Sequence, residues 1–154
     1  LFLFTSCVRT IKFIPEKSDN YKIDKNKVLL SNHNFDIEVE GLYGKADLDV
    51  LFSVFEIEIK NVKDTILFPI GSINLMSIDD TTYFDIDRYN HVDGVGNNLI
   101  VTPKNNYSIF IAFSINDTTR IEQITNINSV KLSINGQNKL RDICFNEDIV
   151  FLTK

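Results

Sequence analysis

From Asn34 onward the chain alternates, with Phe35, Ile37 and Val39 on one face of an extended strand and Asp36, Glu38 and Glu40 on the other. A period of two marks a sheet buried on one side and wet on the other. Gly41 and Gly44 bracket Leu42-Tyr43 and predict a turn or bulge. The next segment, Leu48 to Lys60, is the strongest. Its end sets Phe55, Ile57 and Ile59 against Glu56, Glu58 and Lys60, while its start is apolar on both faces, as in a central strand covered on both sides or one re-aimed by a bulge. Further strands are predicted at Thr65 to Ile70, where Pro69 marks an edge or strand end, at Ile73 to Ile78 and at Tyr83 to Asp87. Leu99 to Thr102 follows, and in Tyr107 to Ile115 the residues Tyr107, Ile109, Ile111, Phe113 and Ile115 line one core face.

Between Asn116 and Asn128 a helix competes, through Ile121, Ile124 and Ile127 at spacing three. Asn and Thr are poor helix formers, so at most a short helix is expected there. Val130, Leu132 and Ile134 predict another strand, Asn135-Gly136 a hairpin turn, and Ile143 to Thr153 a closing segment with Phe145 and a final strand at Ile149 to Leu152. Alanine occurs only at 46 and 112 and methionine only at 76, whereas Ile, Phe, Asn and Asp are plentiful. Such usage suits pleated, half-buried surfaces joined by polar turns. The predicted class is all-β, an antiparallel sandwich of about eight or nine short strands.

At 154 residues the chain is long enough for one hydrophobic core, and its two cysteines need not act as staples. Its apolar fraction excludes a disordered chain, and no apolar run approaches the roughly 20 residues of a membrane-crossing helix. A net charge of -5 without a cationic cluster argues against a nucleic-acid partner.

The chain opens Leu1-Phe2-Leu3-Phe4-Thr5-Ser6-Cys7, an apolar run ending in small residues directly before a cysteine. This resembles the lipobox of bacterial lipoproteins. Phe4 stands where the common box has leucine, as in the looser boxes of the Bacteroidetes group. The resemblance implies that residues 1–6 are the tail of a signal peptide, that cleavage follows Ser6, and that residues 7–154 form the domain. It also implies that the Cys7 thiol carries a diacylglycerol and its new amino group an acyl chain. Two or more chains anchor stably, at about 0.8 kcal/mol per buried methylene. The expected address is the bacterial cell envelope, on the outer membrane. Val8 to Pro15 alternates in part, so strand structure is expected close behind the anchor.

Across Leu51 to Asn61 and Leu99 to Ile115 the sequence resembles small bacterial extracytoplasmic immunoglobulin-like domains: a strand ending in an Asn-containing turn, then Thr102-Pro103, then Tyr-x-Ile-x-Ile-x-Phe from Tyr107. That resemblance implies an immunoglobulin-like sandwich with an accessory or binding role, and it transfers no catalytic residues.

Chemistry is sparse. Asp79, Asp80, Asp85, Asp87 and Asp93 fall in one window with Gly94. Calcium takes six to eight hard oxygens, and Asp85 and Asp87 on one strand face with Asp93 from the next loop would supply some of them. Tyr83 and Tyr89 flank the window as a candidate rim for a protein or glycan ligand. The spacing fits no EF-hand. His33 and His91 lie far apart among Asn and Asp and are expected at the surface. The pairs Glu38/Glu40 and Glu56/Glu58 each lie on one strand and are expected on a solvated face, which disfavours glycosidase chemistry. Cys144 is expected as a buried, inert thiol. The sequence therefore predicts a non-enzymatic, membrane-tethered lipoprotein whose loops contact protein or glycan. Its rivals are a metal-dependent hydrolase using Asp79 to Asp93 and a structural subunit pairing through a strand edge.

Overall fold

The computed structural model describes residues 9–47, 50–79, 83–89, 98–115 and 127–154, and for 47, 50, 87–89 and 98 the backbone alone. Among the described residues are thirteen strands, all paired antiparallel. The first four, short ones are β1 (Arg9–Ile11), β2 (Phe13–Pro15), β3 (Lys22–Asp24) and β4 (Lys27–Ser31). Then come the long β5 (Asp36–Asp47) and β6 (Val50–Lys60), followed by β7 (Ile66–Pro69), β8 (Asn74–Ser77), β9 (Tyr83–Tyr89) and β10 (Asn98–Val101). β11 (Tyr107–Ile115), β12 (Ser129–Gln137) and β13 (Ile143–Thr153) complete the set. The only described helical turn is a 3-10 turn at Ile70–Ser72.

Pairing runs through two layers. In one, the order is β3, β4, β5, β6, β11, β9, with β1 on the stretch of the β5 edge beyond β4. In the other, β2 pairs β13, β13 pairs β12, and the far edge of β12 is shared by β8 and β7, with β10 outside β7. The layers are joined at two places. β9 pairs β11 in the first and β8 in the second. At the other side the chain itself changes layer at Lys12, whose N–H donates to the Lys154 carbonyl at 2.8 Å and whose carbonyl accepts the Lys154 N–H at 3.0 Å.

The inward side chains of both layers meet in one buried cluster. At its middle Phe55 contacts Phe13 (ring centroids 4.9 Å), Phe151 (5.2 Å) and Phe113 (6.1 Å). Phe55 and Phe113 belong to the first layer, Phe13 and Phe151 to the second. A second aromatic group, Phe35 against Phe68 and Phe145, closes the opposite end. The alternation read from the sequence accounts for this: Leu51, Ser53, Phe55, Ile57 and Ile59 of β6 are all buried, as are Ile109, Ile111, Phe113 and Ile115 of β11.

The all-β antiparallel class follows the alternation, with more strands than about eight or nine because β1 to β4 are short and their alternation is brief. At Gly41 and Gly44 the bulge, and not the turn, is realised. β5 runs through both, with a bulge between Gly41 and Tyr43 that leaves Leu42 unpaired. The Asn135-Gly136 pair does not turn the chain either. Both residues lie inside β12, opposite Asn146 and Phe145, and a Cβ on Gly136 would stand 3.2 Å from the Phe68 ring. The turn falls two residues later, where the Asn138 side-chain carbonyl accepts the N–H groups of Leu140 (2.8 Å) and Asp142 (3.0 Å). The closing segment from Ile143 to Thr153 is one continuous strand, β13, that includes the predicted final strand at Ile149 to Leu152. Of the stretch where a helix competes, 116–126 lie outside the described residues.

Gly41 is where the layer change is tightest. A Cβ there would stand 2.4 Å from Phe13 Cβ, an atom next to the backbone that cannot swing away. Gly41→Ala should therefore cost about 1 to 3 kcal/mol by overpacking. Gly71→Ala is the matched control, since a Cβ at Gly71 meets nothing within 4 Å. Urea unfolding of the two variants measures the difference, and equal midpoints would show that Phe13 is not seated against Gly41.

Candidate functional site

Of the acidic window, the described part does not assemble. The Asp79 carboxylate accepts the Asn128 N–H at 3.0 Å and so ties down the chain entering β12. Asp85 is exposed on β9, and Tyr83 beside it is 65 % exposed. Pairing of β9 with β11 steps from Ile86–Phe113 to Arg88–Ala112, so a bulge falls at Asp87. The side chains of Asp87 and Tyr89, and all of Asp80 and Asp93, lie outside the described residues, as do Cys7 and His91. Among the described residues no three His, Cys, Asp or Glu side chains converge as metal ligands. His33 is exposed in the turn that Asn32 caps.

The glutamates that looked confined to single strands are brought together across strands. Register places Glu38 opposite Glu58 and Glu40 opposite Glu56 on the outer face of the first layer. Like charges directly opposite are destabilising, and two lysines resolve the conflict. Lys27 Nζ lies 3.1 Å from Glu58 and 3.8 Å from Glu38, while Lys60 Nζ lies 2.7 Å from Glu58 and 3.0 Å from Glu38. The four groups form a closed ring of alternating charge. Glu40 reaches Lys27 at 3.7 Å, and Glu56 accepts the Ser108 hydroxyl at 2.8 Å. These carboxylates are half-buried, not freely solvated, with 23 to 28 % of the Glu38, Glu40 and Glu58 side chains exposed.

The ring's electrostatics oppose acid catalysis. The Lys60 hydrogen bond, against the opposing effect of burial and with help from Lys27, holds the Glu58 carboxyl below the ordinary glutamate range. Both ammoniums are held above the ordinary lysine range, each first by its hydrogen bond to Glu58. A glycosidase acid needs the reverse, a carboxyl kept protonated near neutral pH. Beyond the ring the same face turns apolar: Tyr43 packs on Phe52 at 6.4 Å, with Lys45 Nζ 6.0 Å above the Tyr43 ring.

Cys144 corrects its expectation. It is exposed, the extra residue where β13 pairing steps from Phe145 to Ile143. Its Sγ donates to the Gly136 carbonyl at 3.5 Å, and partial burial of the sulfur pushes the thiol pKa up. A thiol so shifted is a weak nucleophile at neutral pH.

Two depressions lie where the chain leaves the layer change. One, of about 690 Å³, is lined by Pro15, Lys17, Ser18, Asp19, Tyr21, Ile23 and Lys25. The other, of about 390 Å³, is lined by Asp19, Asn20, Tyr21, Lys22, Leu29 and Ser31. Both share Asp19 and Tyr21. Tyr21 is buried, and its hydroxyl donates to the Glu16 carbonyl at 2.8 Å, which pins the loop between them in sequence. Nothing in the sequence pattern singled out these residues; a polar five-residue loop ending in a lone tyrosine was the available signal. No family model matches the chain, and no match among curated proteins reaches significance.

The ring sets a pH signature. The contribution of Glu58 is complete above the ordinary glutamate pKa and is lost as pH falls through its depressed folded value; that of the lysines is complete below the ordinary lysine pKa and is lost as pH rises through their raised values. Glu58→Gln should cost no more than about 1 kcal/mol at neutral pH, the range for partly exposed pairs. The deficit relative to the parent should disappear at both acid and alkaline extremes in urea unfolding. A deficit independent of pH would show that Glu58 acts through packing alone.

Proposed function

We propose that the chain is a non-enzymatic lipoprotein of the bacterial cell envelope, tethered at the outer membrane through Cys7, whose all-β domain presents its outer surfaces to a protein or glycan ligand. The observation that carries this is the run Leu1-Phe2-Leu3-Phe4-Thr5-Ser6-Cys7 placed two residues ahead of Arg9, where β1 begins. With only Val8 between Cys7 and the start of β1, the connection is short enough for the anchor to hold the domain against the membrane surface. The condition of the glutamate face supports binding over hydrolysis, because Lys27 and Lys60 bridge Glu38 and Glu58 and the Glu58 carboxyl is held below the ordinary glutamate range.

Mass spectrometry of the protein extracted from its native membrane should find Cys7 as the first residue, carrying a thioether-linked diacylglycerol. Cys7→Ala should leave the protein unprocessed or released from the membrane fraction. Recovery of a parent protein with an unmodified Cys7 thiol would reject the tether.

A further inference from the structure

We infer that the domain rests on the lipid surface through the outer face of its second layer, at the end where the chain enters. This rests on the Cys7 tether proposed above and goes beyond it by naming the face that meets the bilayer.

The first argument is the make-up of that face, row by row. Register aligns Ile14 of β2, Leu152 of β13 and Ser129 of β12, and the Ile78 N–H, just past β8, donates to the Ser129 carbonyl at 3.2 Å. The next row aligns Val150, Lys131, Met76 and Tyr83. Leu152, Ile78 and Tyr83 are 39, 40 and 65 % exposed, and Ile14, Val150 and Met76 are half-buried. The one charged side chain of the two rows, Lys131, is paired with Asp148 at 3.2 Å. Further from the chain entry the same face turns polar, with Asp148, Ser133 and Asn74 in one row and Asn146 and Asn135 in the next. An apolar area gathered at one end of an outer sheet face marks contact with a membrane or a protein.

The second argument selects lipid. Only Lys12 separates β1 from β2, and both strands run away from the end that Cys7 would anchor. Ile14 follows Cys7 by seven residues, at most about 25 Å of extended chain, so the tether keeps these rows within reach of the bilayer. Tethering makes the contact intramolecular, and a patch too small to hold a free partner then suffices. A stable dimer needs roughly 800 Å² from each copy, more than six side chains in this condition expose. Lipid also demands no complementary shape, and tyrosine suits the headgroup level, where its ring is covered and its hydroxyl stays wet. At the same end the first layer's outer face is interrupted by charge: Lys45 stands over the Tyr43 ring, and Glu40 and Glu56 form the next row. Resting on the second layer leaves that charged face open to a ligand.

The test uses protein extracted from its native membrane and reconstituted in vesicles of phosphatidylethanolamine and phosphatidylglycerol. In a Cys144→Ser background, which removes that exposed thiol, Leu152→Cys and Ile78→Cys are each labelled with a polarity-sensitive fluorophore. Both labels should show blue-shifted emission and quenching by spin-labelled phospholipid. Labels at Lys45→Cys, exposed at the same end of the first layer, and at Asn146→Cys, exposed on a distal polar row, should show neither. Labels at positions 152 and 78 as wet and unquenched as these controls, or equal quenching at position 45, would overturn the assignment. So would crosslinking of Leu152→Cys to itself in protein whose label is unquenched, since a second copy would then occupy the face. Mass spectrometry of the same preparation separates the two failures: acyl groups on Cys7 with wet labels sink the face alone, whereas an unmodified Cys7 sinks the tether and the face with it.

Discussion

The whole arrangement depends on Phe13 standing against bare backbone. A chain that passes from one sheet layer to the other must bring two backbones close together, and side chains normally prevent it. Here Gly41 and Gly44 leave the space: Cβ atoms there would lie 2.4 Å and 3.1 Å from their nearest neighbours on Phe13 and Ile11. Phe13 fills that space and reaches Phe55 and Phe151, one from each layer. The bulge at Leu42 increases the local twist of β5, which turns its edge from β4 to β1. Because β2 then pairs the end of β13, the beginning and end of the described chain are locked by the reciprocal Lys12 and Lys154 bonds. Such long-range closure carries a high loop entropy, so these contacts are expected late in folding relative to the β5–β6 and β12–β13 hairpins.

The outer face of the first layer shows how charge is accommodated once that topology is fixed. Register puts Glu38 against Glu58, and register cannot slip by one residue without exposing the core face. The lysines at 27 and 60 make the enforced neighbours tolerable by bridging both carboxylates. The gain is small, as for any partly exposed pair. Its consequence is chemical: the ring consumes the carboxylates that would otherwise resemble a hydrolytic pair.

Much of the fold was legible because the period-two signal is strong wherever a strand is long. Phe55, Ile57 and Ile59, or Ile109, Ile111 and Phe113, declare their inward face without any knowledge of partners. Short elements do not. Lys22–Asp24 offers three residues with one partly buried, too few to show a period. Asn135-Gly136 misled for a definable reason: the pair looks like a turn, yet Gly136 lies where Phe68 approaches the backbone of a continuing strand, whereas at Gly41 and Gly44 the bulge alternative is the one observed. Asn138, whose side chain caps the real turn, carries no glycine beside it. The charged ring around Glu58 was illegible because it is assembled by the register of β4, β5 and β6, which no local pattern records.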